Sequence, residues 1–329
     1  MPHRYIPMMK TKAGEIDALA NLSPQARSRM LPLFHVCETV SPRFAGQLAL
    51  AIGGQVIGLD GSFNFQHTGT GTTFSTLLAA LRGASVPTMP SIGLNDPQAY
   101  QQLGRSLVDQ NGLIIKVSVA NLSMLASFVA ASGIAPVHVD VVLDVRHVAS
   151  IDVPSYSGYL ISVLSQHASV LSAYRSVTLA AAAAPKDHTS LSYGANNIPR
   201  TDWLLWSAVR TQVPFSLDYG DYLTGHPDLN EPPGVAMANA TVSARYTLDN
   251  SWLIIKGRST GGPYGQPMQV QYQSHAGAIA GNAGFGGVNA WADGQITQAA
   301  AGAPKMASRQ KWASFAANRH LSLVAARLP

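Results

Sequence analysis

The chain has 329 residues, of which 47% are hydrophobic and only 12% charged, so it can bury one large core or two smaller ones and lacks the composition of a disordered tail. No apolar run is long enough to span a membrane, the first residues lack the apolar core of a signal peptide, and the single cysteine, Cys37, excludes a disulfide framework. The net charge of +5 is spread along the chain, which favours a mildly basic cytoplasmic protein with no membrane partner and leaves nucleic acid open as a partner.

Eight short apolar runs, each suited to one β-strand, alternate with helical stretches in the first two thirds of the chain. The runs are 5–10, 31–36, 55–60, 86–93, 113–118, 137–144, 176–183 and 214–218. Helices are predicted over 14–22, 41–51, 72–82, 96–110, 121–131, 156–174 and 201–211. The alternation predicts an α/β fold, a (β/α)8 barrel. An open doubly wound sheet is the alternative, but no glycine-rich phosphate loop follows the first strand.

The alternation ends after Asp221, and the remaining chain has a different organisation. Segment 244–257 predicts a β-hairpin, because two β-rich runs flank the turn pair Asp249-Asn250. Helices are predicted over 264–284 and 305–317, with a final strand over 321–328. We therefore expect a barrel over 1–225 and a C-terminal appendage of hairpin and helices over 226–329, packed on the barrel.

Alternation along each predicted strand separates apolar residues that face the helices from polar residues that point into the barrel. The inward polar positions are Lys10, Asp60, Lys116, Ser118, His138, Asp140, Asp144, Ser216 and Asp218. Barrel enzymes build their active sites at the C-terminal ends of the strands. The carboxylates expected at or just past these ends are Glu15, Glu38, Asp60, Asp144, Asp218 and Asp221.

These carboxylates, together with Lys10, Lys12 and Lys116, form a ring suited to a metal, a phosphate or a sugar-like ligand. Two carboxylates close together also raise the pKa of one of them, as acid–base catalysis requires. The alternative is structural pairing inside the barrel, for example of Asp140 with His138 or Lys116.

Four segments resemble the Beta protein family of phages and bacteria. They are 5–34 (YIPMMKTKAGEIDALANLSPQARSRMLPLF), 216–222 (SLDYGDY), 244–259 (ARYTLDNSWLIIKGRS) and 312–324 (WASFAANRHLSLV). The resemblance implies a TIM-like barrel whose activity is not established. It also implies association with phages and mobile elements, and therefore a role in phage–host conflict or antiviral defence.

The family pattern recurs at single positions along the whole chain. These are Lys10, Lys12, Gly14, Glu15, Asp144, Asp218, Tyr219, Gly220, Asp221, Arg245, Tyr246, Lys256, Gly257, Asn318 and His320. The chain departs from the pattern at Ala313, where arginine is expected, and at Arg319, where histidine is expected. Segment 181–187 is also more apolar than the family pattern.

The resemblance and the strand order together give a site hypothesis. The first and eighth strands of a closed barrel are neighbours, so Lys10–Glu15 and Asp218–Asp221 would meet at one rim. The hairpin would supply Arg245 and Lys256. The proposed catalytic residues are Lys10, Glu15, Asp144, Asp218 and Asp221. The proposed ligand-binding residues are Lys12, Asp60, Lys116, Tyr219, Arg245, Lys256, Asn318 and His320.

Two functional classes follow from this hypothesis. The first is a hydrolase or phosphodiesterase acting on a small anionic, phosphate-bearing ligand or on nucleic acid, with a divalent metal as the candidate cofactor. The second is a non-catalytic sensor that binds a phage or host protein. A virion structural component is disfavoured, because the inner barrel face is so polar.

Overall fold

Strands of two sheets form the frame of the protein. The computed structural model describes residues 4–230 and 241–329. Its strands are β1 (Tyr5–Lys10), β2 (Leu33–His35), β3 (Ile57–Asp60), β4 (Thr88–Gly93), β5 (Leu113–Val117), β6 (Val139–His147), β7 (Ser176–Ala182), β8 (Gly194–Pro199), β9 (Asp218–Asp221), β10 (Ser243–Thr247) and β11 (Ser251–Lys256). Strands β1 to β7 and β9 close, all parallel, into the predicted barrel.

Helices surround this barrel and, in the last third of the chain, also pack on the second sheet. They are α1 (Ala13–Ala20), α2 (Pro24–Ser28), α3 (Phe44–Ile52), α4 (Ser62–Thr68), α5 (Thr72–Gly83), α6 (Gln98–Ser106), α7 (Leu125–Ala130), α8 (Val153–Gln166), α9 (Ala168–Leu171), α10 (Thr201–Arg210), α11 (Met268–Ala280), α12 (Trp291–Ala300) and α13 (Arg309–Arg327). Short 3-10 turns cover Val119–Met124 and Pro136–His138. None of the helices in the described ranges combines the length and the apolar character needed to cross a membrane.

The strands bury one apolar face against the helices and another inside the barrel. The main core lies between strands and helices and contains residues such as Leu59, Ile115 and Val141. A smaller cluster fills the barrel interior, with Leu33 and Ile114 among its members. Five polar side chains predicted to point into the barrel are each separated by an even number of residues from an apolar side chain of this interior cluster. Because alternate residues of a strand share a face, this spacing agrees with the prediction. They are Lys10, Asp60, Lys116, Asp140 and Asp144.

The last third of the chain builds a second core beside the barrel. Strands β10, β11 and β8 form an antiparallel sheet, and the predicted hairpin is its β10–β11 part. One face of this sheet packs with α11 and α12 around Tyr246, Leu253 and Tyr272. Helix α13 contributes Trp312 to this second core and Leu321 to the main core. The division of the chain at residue 225 stays a prediction.

Two predicted elements are wrong. The eighth barrel strand runs over 218–221, not 214–218, and segment 321–328 belongs almost wholly to α13 rather than to a strand. A short apolar run has no period that distinguishes a strand from a buried helix, which explains the second error. Strand β8 is absent from the predicted elements, since its sequence GANNIP lacks β-branched alternation and its pairing depends on β11.

Candidate functional site at the barrel mouth

A buried ion pair lies at the C-terminal mouth of the barrel. The Lys116 ammonium on β5 is bonded to Asp60 Oδ2 on β3, and the Lys116 side chain is 16% exposed. The Ser62 hydroxyl donates to Asp60 Oδ1 at 2.7 Å, and His35 Nδ1 lies 3.4 Å from Oδ2. Burial alone would raise the pKa of Asp60, but Lys116 and His35 hold it well below its usual range. Asp60 is therefore an anion.

The carboxylates near Lys116 keep its ammonium group positively charged. Burial would lower the pKa of Lys116, but Asp60 raises it above its ordinary value, with Asp96 and Asp144 adding to the effect. A lysine nucleophile needs a lowered pKa, so this amine is suited to attracting an anion rather than to attacking a carbonyl.

A second group of polar side chains closes the mouth above β6 and β9. The Tyr222 hydroxyl donates to Asp144 Oδ2 at 2.6 Å, and its ring stacks on His35 with centroids 6.0 Å apart. Arg146 Nη1 lies 3.6 Å from the same Asp144 oxygen, and Arg146 Nη2 donates to the Pro227 carbonyl. Arg146 adopts a φ of 59°, in the left-handed region that a branched or bulky residue rarely occupies. The backbone bond from Arg146 to Asp144 Oδ1, at 2.9 Å, accompanies this turn.

Asp96 is the carboxyl group at the mouth whose protonation changes near neutral pH. It lies in the loop after β4 and accepts a bond of 2.6 Å from the Gly93 amide. Burial raises its pKa to about 6, and the Asp60 anion adds to the rise while Lys116 opposes it. A carboxyl with this pKa can both donate and accept a proton at physiological pH.

Lys10 completes the mouth on the side of β1. It is paired in register with His35 on β2, which is in turn paired with Asp60 on β3. Its backbone amide donates to Glu15 Oε2 at 2.5 Å, so Glu15 holds the turn between β1 and α1. In the described ranges no carboxylate lies within ion-pair distance of the Lys10 ammonium. Lys12 precedes α1 at its N-cap position.

Two buried polar atoms beside the Asp60–Lys116 pair lack hydrogen bonds. They are His35 Nε2 and Ser91 Oγ, which find no partner in the described part of the chain. Ser91 lies next to Asp60 in register. Buried polar atoms are nearly always bonded to protein or water, so both atoms are free to bind a ligand or solvent at this end.

Asp218 does not belong to the mouth, contrary to the site hypothesis. It begins β9, pairs with Thr178, and accepts a 3.0 Å bond from the backbone amide of Arg4, which precedes β1. It therefore lies at the N-terminal end of the barrel, while Lys10 ends β1 at the mouth. The misplaced eighth strand caused this error, because the strand begins, rather than ends, at this residue.

Asp140 also lies towards the N-terminal end, and its structural partners differ from those expected from the sequence. Arg175 donates to both of its carboxylate oxygens, at 3.0 and 2.7 Å, and the Ser176 hydroxyl adds a third bond. Neither His138 nor Lys116 is its partner. The bidentate pairing gives Asp140 a structural role.

Asp221 and His320 form a buried network outside the barrel rather than part of the mouth. His320 Nε2 lies 2.7 Å from Asp221 Oδ2, and His320 Nδ1 lies 3.1 Å from the Thr247 hydroxyl. The Tyr5 hydroxyl donates to Asp221 Oδ1 at 2.6 Å. The Tyr219 hydroxyl donates to Asp202 in the same region. All are buried, and this network joins β9, β10 and α13.

The remaining predicted ligand-binding residues have other partners than the Asp60–Lys116 pair. Asn318 joins three helices, donating to the Ala18 carbonyl and accepting from the Ala292 amide. Arg245 donates to the Thr224 carbonyl and contacts His188, and Lys256 donates to the carbonyls of 189 and 191. Arg245 and Lys256 of the hairpin thus contact the loops that follow β9 and β7.

A metal centre finds no support in the described ranges, since no group of three His, Cys, Asp or Glu side chains there could hold an ion. The divalent metal stays a hypothesis without ligands assigned to it.

Sequence reasoning missed several residues of the mouth, among them His35, Asp96, Arg146 and Tyr222. His35, Arg146 and Tyr222 continue the inward phase of β2, β6 and β9, so the alternation that identified Asp60 would have found them. The sequence marks Asp96 only as the start of a helix. Its side chain turns back to Gly93 instead, and Pro97 takes the N-cap position of α6.

Comparison with known proteins agrees with the resemblance of the four segments. A protein-family model described as Beta protein matches residues 5–326. A comparison with curated proteins finds no significant match. The matched span includes the barrel, the hairpin and nearly all of α13.

Proposed function

The chain belongs to the Beta protein family, and from this premise we propose that it binds a small phosphate-bearing ligand at the C-terminal mouth of the barrel. The single observation that carries the proposal is the Lys10 ammonium, which has no carboxylate partner in the described ranges and lies at the same end as Lys116 and Arg146. A phosphate is attracted by such a group of cations.

Each cation would have a distinct part in binding. Lys116 is fixed by Asp60 and supplies a constant charge inside the mouth. The Arg146 side chain is 59% exposed and, held by Asp144, Tyr222 and the Pro227 carbonyl, places a positive charge at the edge of the mouth. Lys10 is free to approach from β1. His35 Nε2 and Ser91 Oγ are buried beside Asp60 and would bond to the ligand or to water that it orders.

Hydrolysis of a phosphate ester is the second candidate function, and Asp96 favours it. General acid–base catalysis works best when the pKa of the group lies near the operating pH. The pKa of Asp96 is raised to about 6, chiefly by burial, and Lys116 lies close enough to affect it. In this mechanism Asp96 accepts a proton from the water that attacks phosphorus, the ester P–O bond breaks to release the alcohol or phenol oxygen with its electron pair, and Lys116 stabilises the charge that develops on the phosphate.

The biological setting is proposed from the family alone. We place the protein in the cytoplasm, in a conflict between phage and host, where the ligand would come from the phage or from the infected cell. The alternative is a sensor that binds a phage or host protein. It predicts that substitutions of residues in the barrel mouth have no effect on small-ligand binding.

A thermal-shift screen with inorganic phosphate, mononucleotides and sugar phosphates tests the binding proposal. A ligand of the folded state raises the midpoint of unfolding by mass action. We expect a rise in the native protein that Lys10→Met abolishes and that Lys311→Met, an exposed cation on α13, leaves unchanged. No rise with any compound, or an equal rise in both variants, contradicts the proposal.

Hydrolysis is tested with an aryl phosphate monoester and an aryl phosphate diester. We expect release of the phenolate with a pH profile that turns near pH 6, and Asp96→Asn should lower kcat by at least a hundredfold. Binding without turnover at any pH between 5 and 8 would leave the protein a binder and reject the hydrolase function.

A further inference from the structure

A cluster of cations surrounds an exposed tyrosine on the three-stranded sheet, away from the barrel axis. The side chain of Tyr193 is 64% exposed and precedes β8. The Lys256 ammonium and the Arg258 guanidinium each lie 5.3 Å from the centre of its ring. We call Tyr193, Arg245, Lys256 and Arg258 the basic–aromatic surface.

The strand register places these cations on one face of the sheet. Arg245 pairs with Ile254 across β10 and β11, and Lys256 lies two residues from Ile254 on the same strand. Side chains two residues apart, and side chains directly paired, share a face. Arg258 follows Lys256 by two further residues. All three cations therefore point to the side on which the loops after β7 and β9 lie.

No carboxylate neutralises this surface within the described ranges. None of Arg245, Lys256 and Arg258 lies in an ion pair with a described residue, whereas Arg175, Arg319 and Lys116 each do. Arg245 instead contacts His188 at 3.0 Å and the Thr224 carbonyl. Burial without a compensating anion lowers the pKa of Arg245 to about 10. Such uncompensated positive charge is typical of a surface that meets a polyanion.

The exposed ring of Tyr193 favours one class of polyanion over the others. Proteins that bind single strands combine a basic surface along the phosphates with aromatic rings on which unpaired bases stack. Guanidinium planes such as that of Arg258 stack on bases as well. An acidic peptide would use the charges and gain nothing from an exposed ring. Lys256 holds the loop before β8 through the carbonyls of 189 and 191, so Tyr193 is presented on an ordered support.

We propose that the basic–aromatic surface binds single-stranded nucleic acid, with Tyr193 and Arg258 stacking on bases and Arg245 and Lys256 attracting phosphates. This site shares no residue with the barrel mouth and does not depend on the function proposed for it.

Fluorescence anisotropy with a labelled 20-mer of oligothymidylate tests the proposal on the full chain. We expect Tyr193→Ser to weaken binding about tenfold and Tyr193→Phe to keep it within about twofold, because phenylalanine retains the stacking face. Lys256→Gln should weaken binding and reduce the slope of log K against log salt by about 0.7, as expected for one lost phosphate contact on a single strand. Lys311→Gln, an exposed charge on α13, is the matched control.

Three outcomes would overturn the proposal. They are no binding at low salt, equal weakening by Tyr193→Ser and Lys311→Gln, and displacement of the oligonucleotide by polyglutamate at equal charge concentration. Displacement by polyglutamate would show that the surface binds negative charge and does not recognise bases. Phosphate binding at the mouth is measured in parallel with Tyr193→Ser, which should not change it, so failure of one proposal does not conceal failure of the other.

Discussion

At the scale of single residues, the pair of Asp60 and Lys116 determines the chemistry of the barrel mouth. A buried ion pair contributes little net stability, but removing one partner leaves an uncompensated buried charge. The pair therefore explains both why Lys116 stays charged and why neither residue can be replaced alone at low cost.

We predict that Lys116→Met lowers the free energy of unfolding by about 3–5 kcal/mol, because it leaves the Asp60 anion buried without its cation. The double variant Asp60→Asn, Lys116→Met should cost less than Lys116→Met alone. Urea unfolding of the native protein, both single variants and the double variant measures the coupling. Additive costs would show that the two groups do not interact.

The pH dependence of stability follows from Asp96. Its pKa of about 6 in the folded protein exceeds that of an unfolded aspartate, so the folded state binds the proton more tightly. The resulting stabilisation is fully present below about pH 4 and is lost as the pH rises through about 6. We predict that the stability difference between native protein and Asp96→Asn falls by about 2 kcal/mol from pH 4 to pH 7.

Asp218 provides an independent comparison at the other end of the barrel. Burial raises its pKa to about 6 as well, with Asp140 adding to the rise. Asp218→Asn should therefore show the same fall over the same pH range, and the two effects should add in the double variant because the sites are far apart. If the stability difference between the native protein and each variant does not change with pH, the pKa values assigned to Asp96 and Asp218 are contradicted.

At the scale of elements, a glycine of the family pattern explains how the last helix reaches the barrel. A Cβ on Gly14 of α1 would lie 3.1 Å from the Gln310 carbonyl oxygen and 3.6 Å from the Ser314 amide of α13. The absence of a side chain allows the two helix backbones to approach. The Ser314 hydroxyl then donates to Asp17 at 2.6 Å across the same contact.

We predict that Gly14→Val destabilises the protein by at least about 2 kcal/mol, since the branched side chain has no space between the helices. The control is Gly46→Ala on α3, where a Cβ meets nothing within 4 Å. That change should stabilise by about 0.5–1 kcal/mol, because alanine is the better helix former. Thermal unfolding gives both values, and equal effects of the two substitutions would reject the close-contact explanation.

The amino-acid pattern is most informative in the strands where polar and apolar residues alternate regularly. In β3, β5 and β6 a period of two is enough to assign Asp60, Lys116 and Asp144 to the inward face of the barrel. Alternation could not locate Asp96, which lies in a loop, or β8, whose pairing is set by a strand more than fifty residues later. It misplaced Asp218, because an error in one strand boundary reverses which end of the barrel a residue occupies.

At the scale of the whole molecule, α13 joins the two cores. Its Leu321 packs with the barrel strands and its Trp312 with the second core, and between them His320 bonds to Asp221 of β9 and Thr247 of β10. The family-pattern residues Asp221 and His320 therefore hold the hairpin and the last helix on the barrel.

We predict that His320→Ala lowers the free energy of unfolding by about 3 kcal/mol, because Asp221 loses the partner that offsets its burial. Thr247→Val removes only the hydroxyl that contacts the other ring nitrogen and should cost about 1 kcal/mol. Guanidinium unfolding followed by tryptophan fluorescence compares them. A cost for His320→Ala no larger than that for Thr247→Val would show that the link to Asp221 contributes little.

Locating a bound oxyanion in a crystal tests whether the barrel mouth binds phosphate. Crystals of the protein soaked in tungstate, a heavy analogue of phosphate, give an anomalous difference map that marks the bound ion. We predict a peak within hydrogen-bonding distance of Lys10 or Lys116, and its loss in crystals of Lys10→Met. A mouth without a peak, in crystals where tungstate binds elsewhere on the molecule, would contradict phosphate binding at this site.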